Sequence, residues 1–323
     1  NEQDNRYYSK LAGLPMLEPS SAQEAKDMVA FAFDLSEKLQ QAVIYRTTTR
    51  INHSTEVVVL GDIQTPITRG DFTKDPFNYV TVPAVSRNLH VKLLEKLETA
   101  ETISETSEYN FITGNGPWGI VCNGVSYNYV SDAVKDLKIA QKVKIFRVGF
   151  SYPMPRILIK NFLKECEKVL VVEEGEPFME ETIKAFAQEE GLTLPINGKR
   201  HDLFSRLYEY SPALVRQCLA TYFDVTYNPV AGVNLSDVPE IPQRPPSLCA
   251  GCSHRATFYA VNKAAEGMET ICPTDIGCYT LGFMPPLSAG DFLICMGSSA
   301  VSYTHLTLPT TRQRCCARGS GVG

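Results

Sequence analysis

Several features that mark whole classes of protein are missing from this sequence. It has no run of about 18 apolar residues, so no transmembrane helix is expected. Its first residues, Asn1 to Arg6, contain neither an initiator methionine nor the pattern of a signal peptide. A formal net charge of -5 over 323 residues gives no reason to expect binding to nucleic acid or to an anionic membrane. Together these absences predict a cytoplasmic protein that binds neither nucleic acid nor a membrane.

Two further patterns are absent, a dinucleotide-binding loop and a disulfide framework. No G-x-G-x-x-G lies between a predicted strand and a predicted helix, and Gly114-Asn115-Gly116 precedes a strand pattern and therefore predicts a turn. The ten cysteines are spread through a long chain whose 44% hydrophobic content is ordinary for a globular protein. Reduced thiols, some of them metal ligands, are therefore favoured over disulfides.

The first segment of the chain combines a strong helix start with a polar loop. Ser21-Ala22-Gln23-Glu24 has the spacing of a capping box and opens an amphipathic pattern that runs to about Leu39. A short strand pattern, Ala42 to Tyr45, is followed by a polar run that contains Arg50 and His53. Ligands of open α/β sheets bind beyond the carboxyl ends of strands, which makes this run a candidate site. A solvated loop is the alternative.

The second segment alternates between strand and helix patterns with short links. Such alternation predicts a parallel, doubly wound sheet. The predicted strands are Trp118–Asn123, Lys142–Val148 and Lys168–Glu173, and the predicted helices are Ser126–Leu137, Pro155–Cys166 and Pro177–Glu190. The turn Glu173-Glu174-Gly175 is interpreted as exposed and acidic.

Proline density marks a boundary before the third segment. Five prolines lie between residues 224 and 247, and this density resists both helix and central strand. Cys249 and Cys252 then stand as a C-x-x-C at the start of a helix pattern that runs to about Ala265. The spacing is compatible with half of a metal or iron–sulfur site, with a redox dithiol, or with two buried thiols. A proline linker, rather than a strand, precedes Cys249, which disfavours a thioredoxin-like motif.

A glycine-containing element follows these cysteines. Asp275-Ile276-Gly277-Cys278 leads to a predicted strand, Phe292–Cys295, which ends in the turn Met296-Gly297-Ser298. Glycines at a strand-to-helix turn let backbone N–H groups approach a phosphate, and the next helix dipole favours the anion. This turn is therefore a candidate phosphate site.

Runs from several parts of the chain resemble one enzyme family, and they occur in the family's order. They are Thr48-Thr49-Arg50-Ile51-Asn52-His53, Ser126-Tyr127-Asn128-Tyr129, Val171-Val172-Glu173-Glu174, Leu248-Cys249-Ala250-Gly251-Cys252-Ser253-His254-Arg255 and Asp275-Ile276-Gly277-Cys278-Tyr279-Thr280-Leu281-Gly282. With them, the sequence resembles the alpha subunit of indolepyruvate:ferredoxin oxidoreductase, one of the thiamine-diphosphate 2-oxoacid:ferredoxin oxidoreductases. The resemblance covers residues 1 to 300.

The resemblance implies an α/β, multi-domain thiamine-diphosphate-binding fold with parallel doubly wound sheets, truncated at both ends. Its implied divisions are a C-terminal part of a pyrimidine-binding domain (1–105), a transketolase-C-terminal-like α/β domain (106–223), a proline-rich linker (224–247) and an N-terminal part of a diphosphate-binding domain (248–300). Residues 301–323 are expected to be a non-native tail, because their first ten residues match a translated frame of a common transposase sequencing adapter.

The family's chemistry is the oxidative decarboxylation of arylpyruvates, such as indolepyruvate, to aryl-acetyl-CoA with ferredoxin as electron acceptor. The resemblance implies thiamine diphosphate, Mg²⁺ and a [4Fe–4S] cluster as cofactors, coenzyme A as co-substrate, and a beta subunit and ferredoxin as partners. The catalytic glutamate of the family is expected before Asn1, so no residue of this chain is assigned that role. The chain by itself is therefore expected to be inactive.

The resemblance also implies roles for individual residues. Residues expected to face the cofactor are His254, Asp275, Gly277, Cys278, Gly297 and Ser298. Cys249, Cys252 and Cys278 match cluster ligands of related enzymes, with a fourth ligand expected downstream. Arg50 and His53 are expected to face substrate, where a guanidinium can clamp a carboxylate; a structural salt bridge is the alternative for Arg50. Two other functions stay open: a thiol–disulfide redox protein that uses Cys249 and Cys252, and a non-catalytic subunit-interaction fragment.

Overall fold

The computed structural model describes residues 4–62, 72–201, 203–229, 239, 242 and 244–300. The chain divides into two compact units, residues 1–231 and 232–323, and the division falls inside the proline-rich segment. The tail at 301–323 and much of that segment lie outside the described residues. No described helix is both long and apolar enough to cross a membrane.

The first unit contains nine α-helices and eight strands within its described residues. The helices are α1 (Arg6–Ala12), α2 (Ala22–Leu39), α3 (Thr49–Asn52), α4 (Pro76–Tyr79), α5 (Pro83–Glu105), α6 (Ser126–Asp136), α7 (Arg156–Lys164), α8 (Phe178–Glu189) and α9 (Pro212–Phe223). The strands are β1 (Met16–Leu17), β2 (Ile44–Tyr45), β3 (Asn110–Gly114), β4 (Trp118–Asn123), β5 (Val143–Val148), β6 (Phe150–Tyr152), β7 (Lys168–Val172) and β8 (Ile196–Asn197).

The main sheet has the order β3-β5-β4-β7-β8. Strand β4 pairs in parallel with β5 and with β7, and β7 pairs in parallel with β8. The predicted parallel sheet is therefore present, and β4 has the predicted bounds. The edge strand β3 was not predicted and runs antiparallel to β5. The Gly114-Asn115-Gly116 turn joins β3 to β4, so it opens no helix.

Helices cover both faces of this sheet because successive strand side chains point to opposite sides. From β4, Ile120 packs in a core with residues of α6 and α9, whereas Val121 packs with residues of α7 and α8. Trp118 stacks on Phe223 of α9 with a centroid distance of 4.9 Å. The unit is therefore doubly wound, as the strand–helix alternation predicted.

A smaller sheet, β2-β1-β6, lies beside this core in the first unit. Strand β1 is parallel to β2 and antiparallel to β6, so it joins residues from both sides of position 105. Helix α2 connects β1 to β2 and starts at the predicted cap, where Glu24 N donates to Ser21 Oγ at 3.1 Å. The proposed domain division at residue 105 stays a prediction.

The second unit has less regular structure among its described residues. It contains α10 (Ser253–Ala264) and the 3₁₀ helix Cys278–Phe283, which pack around Phe258. A side chain at Gly282 would meet Phe258, since an added Cβ would lie 2.3 Å from its Cζ. The predicted strand Phe292–Cys295 is wrong. Only Phe292 forms a bridge, with Pro273, because no described strand lies alongside to continue the ladder.

Candidate functional site

A polar cleft of about 680 Å³ opens at the carboxyl ends of β2 and β7 in the first unit. Arg46, Thr47 and Thr48 line it from the end of β2, and Glu174 and Gly175 line it from the end of β7. This is the edge at which open α/β sheets bind ligands. The cleft therefore includes the start of the polar run after β2, and the use of that run as a ligand site stays a prediction.

Neither of the two residues assigned to substrate lines this cleft, although Arg50 pairs with Glu209, which does. Arg50, in α3, has its Nε 3.0 Å from Glu209 Oε2, and both side chains are about half exposed. His53 caps the carboxyl end of α3 and is exposed. The salt bridge weighed for Arg50 is present, so its guanidinium would have to leave Glu209 to meet a substrate carboxylate. The substrate role of both residues stays a prediction.

Glu18 forms a buried polar centre behind the cleft. Only 1% of Glu18 is exposed, yet its carboxylate accepts hydrogen bonds from Arg46 at the end of β2 and from Asn123 at the end of β4. Arg46 Nε also donates to Asn5 Oδ1 at 2.7 Å. Sequence reasoning missed this centre, although each of its members directly follows or ends a strand, and that shared position was the available signal.

A second buried ion pair joins the start of the chain to the end of β7. Arg6 is fully buried, and its guanidinium donates to Glu173 at 2.5 Å and to the carbonyls of Glu174 and Glu176 at 2.7 Å. Glu173 also accepts N–H bonds from Met179 and Glu180 at 2.9 Å. Burial lowers the pKa of Arg6, but the carboxylates of Glu173, Asp4 and Glu18 together raise it above its ordinary value, so the guanidinium is charged. The interpretation of Glu173 as exposed is therefore wrong.

In the second unit, Asp275 organises the predicted phosphate turn. Its carboxylate accepts hydrogen bonds from Gly297 N and Ser299 Oγ, and these bonds, that of Ser299 first, hold the pKa of Asp275 below its ordinary value of 3.8. Cys295 N donates to Ser298 Oγ at 3.0 Å and closes the turn. Gly277 and Gly297 have positive φ and open space where a Cβ would stand. Three of the predicted cofactor residues, Asp275, Gly297 and Ser298, are thus brought together, and their contact with a phosphate group stays a prediction.

The predicted cluster ligands are not brought together. Cys252 Sγ lies 3.3 Å from His254 Nδ1, and the His254 ring meets Tyr279 edge-on with a centroid distance of 5.8 Å. Among the described residues, however, no three His, Cys, Asp or Glu side chains are placed to hold one metal ion. Cys249, Cys252 and Cys278 as placed do not fit an iron–sulfur cluster, so no step is derived through one.

Comparison with known proteins gives a consistent set of relatives. No family model matches the sequence. The indolepyruvate oxidoreductase subunit IorA of Methanothermobacter thermautotrophicus is 42% identical over 97% of this chain and 51% of that protein. The same subunit of Thermococcus kodakarensis is 42% identical over 93% of the chain and 47% of the protein, and that of Archaeoglobus fulgidus is 39% identical over 93% and 48%.

Two solved structures share weaker likeness. A 2-oxoglutarate:ferredoxin oxidoreductase from Magnetococcus marinus has 16% identity and a TM-score of 0.43, and covers 64% of this chain and 42% of its own. A split-gene transketolase has 11% identity and a TM-score of 0.37, and covers 66% of this chain and 58% of its own. Scores this low support no argument about site or activity. The chain spans about half the length of the curated relatives that it matches, and on their identity it belongs to the family of the indolepyruvate oxidoreductase subunit IorA.

Proposed function

We propose that the whole protein represented by this chain is the large subunit of a thiamine-diphosphate 2-oxoacid:ferredoxin oxidoreductase that acts on arylpyruvates such as indolepyruvate. The observation that carries the proposal is 42% identity to subunit IorA over 97% of the chain. Because the match is nearly continuous, it includes both the residues that form the core of the first unit and those that form the turn of the second. A shared motif alone would not produce it.

The turn around Asp275 is the proposed place for the diphosphate end of the cofactor. Asp275 fixes the turn through Gly297 N and Ser299 Oγ, which sets the direction of the neighbouring backbone N–H groups. Thr280 Oγ1 donates to the backbone carbonyl of Asp275 at 2.5 Å, which connects the start of the 3₁₀ helix to the same residue. Thiamine diphosphate, when bound, stabilises the carbanion that is left by decarboxylation. The role of these residues is to hold and orient the anion.

Substrate recognition is assigned to the polar cleft of the first unit. Arg50 is the proposed carboxylate clamp, and its exposed pair with Glu209 contributes little stability and is readily exchanged. A planar guanidinium can bind a 2-oxoacid carboxylate through two parallel hydrogen bonds. His53, one turn of chain beyond, is proposed to contact the same substrate.

The remaining components of the reaction are proposed from the family alone. They are Mg²⁺ at the diphosphate, at least one [4Fe–4S] cluster, coenzyme A as the acyl acceptor, a beta subunit, and ferredoxin as the electron acceptor. The proposed site of the enzyme is the cytoplasm. The chain itself is expected to lack activity without the remaining parts of the enzyme.

The proposal is tested with the full-length gene product expressed together with its beta subunit. Reduction of ferredoxin is followed on addition of indolepyruvate, with coenzyme A and thiamine diphosphate each left out in turn. The proposal expects reduction that requires all three compounds, and none from the 323-residue chain alone. An intact, cofactor-loaded complex that leaves indolepyruvate unoxidised would overturn it.

One contact keeps a redox dithiol as the second candidate. His254 Nδ1 lies 3.3 Å from Cys252 Sγ, and Cys252 is the residue that precedes α10. This function predicts that Cys249 and Cys252 form a reversible disulfide and exchange with a dithiol protein in the absence of iron. Mass mapping after mild oxidation of the Cys249→Ser and Cys278→Ser variants tests this function. If it is correct, only the Cys249→Ser variant loses that disulfide.

A further inference from the structure

Lys199 is a buried lysine that the proposed reaction does not use. It follows β8 at the carboxyl edge of the main sheet and is 5% exposed. Its backbone N–H donates to Glu180 Oε2 at 2.7 Å, which fixes the position of the residue. A buried lysine is costly unless its amine is paired or neutral, so the contacts of the amine decide what it can do.

The amine of Lys199 has neutral hydrogen-bond partners. Nζ donates to Ser205 O at 2.9 Å and bonds to the Tyr210 hydroxyl, and it lies 4.6 Å from the centroid of the Tyr210 ring. Burial lowers the pKa of Lys199 to about 8, although Glu173 raises it. About one tenth of the amine is therefore uncharged and nucleophilic at pH 7, and about half at pH 8.

A cavity of about 270 Å³ adjoins this lysine within the first unit. Lys199 lines it together with Arg200 and Arg206. Both guanidinium groups are mostly exposed and pair with Glu181 and Glu176, two partly exposed glutamates that line the same cavity. Such surface pairs contribute little stability and yield readily to a competing anion. The cavity is thus lined by Lys199 and by two arginines whose guanidinium groups are able to exchange a glutamate for another anionic group.

We propose that this cavity binds a small aldehyde or ketone that carries a carboxylate or phosphate, and that Lys199 forms an imine with its carbonyl carbon. The nitrogen lone pair attacks the carbonyl carbon, and the carbonyl oxygen takes up a proton. Loss of water from the carbinolamine then gives the imine, with no change of oxidation state. The Tyr210 hydroxyl, in contact with Nζ, is placed to take and return the proton; burial raises the pKa of Tyr210, which keeps it protonated. This inference is independent of the proposed oxidoreductase activity.

The test is imine trapping on the intact chain with three probes. Pyridoxal 5′-phosphate and pyruvate carry an anion, whereas benzaldehyde does not, and cyanoborohydride fixes any imine as a stable amine. The proposal expects one adduct per chain with the anionic probes, mapped to Lys199 by peptide mass spectrometry. At about pH 8 this lysine should react at least about tenfold faster than exposed Lys138, which serves as the internal reference.

Two variants and a control complete the test. Lys199→Arg keeps the charge and removes the nucleophile, so the adduct should vanish. Lys184→Arg is the matched control, because Lys184 pairs with Glu180 on α8 and should leave the adduct unchanged. Arg206→Gln alters only an exposed pair and keeps the test valid if the first variant folds poorly. It should weaken labelling by pyruvate about tenfold and leave benzaldehyde unaffected. Equal labelling of all exposed lysines, or an adduct that survives in Lys199→Arg, would overturn the proposal.

Discussion

Replacing Arg6 by methionine should destabilise the first unit more than any other change of a single charge named above. Arg6 is fully buried, and its guanidinium bonds to Asp4, Glu173 and two backbone carbonyls. Methionine fills similar space but leaves Glu173 buried with two backbone N–H donors and no counter-charge. Removing one partner of a buried pair costs about 3–5 kcal/mol. We expect the free energy of unfolding to fall by that amount.

The assay for Arg6→Met is urea unfolding followed by tryptophan fluorescence. The chain has one tryptophan, Trp118, which lies in β4 and stacks on Phe223, so its emission reports the first unit alone. Arg200→Met is the matched control, because its pair with Glu181 is exposed and contributes little to stability.

A double variant, Arg6→Met with Glu173→Gln, separates charge burial from lost packing. Neutral glutamine no longer needs a counter-charge. The double variant should therefore lose about 1–3 kcal/mol less free energy of unfolding than the sum of the losses in the two single variants. Additive effects, or a loss below about 1 kcal/mol for Arg6→Met, would refute the reasoning that this pair anchors the start of the chain.

Three further predictions concern the two cores and the turn. Leu219→Ala should cost about 2–5 kcal/mol in the same fluorescence assay, because Leu219 is fully buried between α9 and the sheet, whereas exposed Leu207→Ala should change little. Asp275 has a lowered pKa, so its contribution to stability is present above the unfolded pKa of about 3.9 and is lost as pH falls through the folded value. Titration of the Asp275 carboxyl group by NMR should give a midpoint below 3.8. A midpoint at or above that value would contradict the hydrogen bonds of the turn. Brief alkylation at about pH 8 should modify exposed Cys249 and Cys278 and spare Cys122, since burial raises the pKa of Cys122 to about 12; mass mapping that finds Cys122 modified first would contradict this.

Local patterns in the sequence predicted the main sheet well. Strands β4 and β7 are short apolar runs between polar turns, and their residue types by themselves favour a strand. The run Phe292–Cys295 is also apolar but forms a single bridge, because a strand also requires a partner that its own residues do not specify. Edge strand β3 was missed because three of its five residues are exposed, which removes the apolar signal.

Contacts between distant parts of the chain account for most of what was missed in the sites. Glu173 is separated from Arg6 by 167 positions, so its sequence neighbours, Glu174 and Gly175, suggested an exposed turn. Asp275 differs from Glu173 in this respect. Its partner Gly297 is 22 positions away, but both residues lie in runs that resemble the same enzyme family. There the resemblance, rather than residue spacing, assigned both residues to the same cofactor.

We propose that the whole protein oxidises arylpyruvates. Comparison of substrates in the intact complex is the most direct test of this proposal. Values of kcat/KM are measured for indolepyruvate, phenylpyruvate, pyruvate and 2-oxoglutarate, with ferredoxin reduction as the readout. The account predicts that indolepyruvate is preferred over pyruvate by at least about tenfold. A complex that prefers 2-oxoglutarate or pyruvate, or that reduces ferredoxin with none of the four, would contradict it.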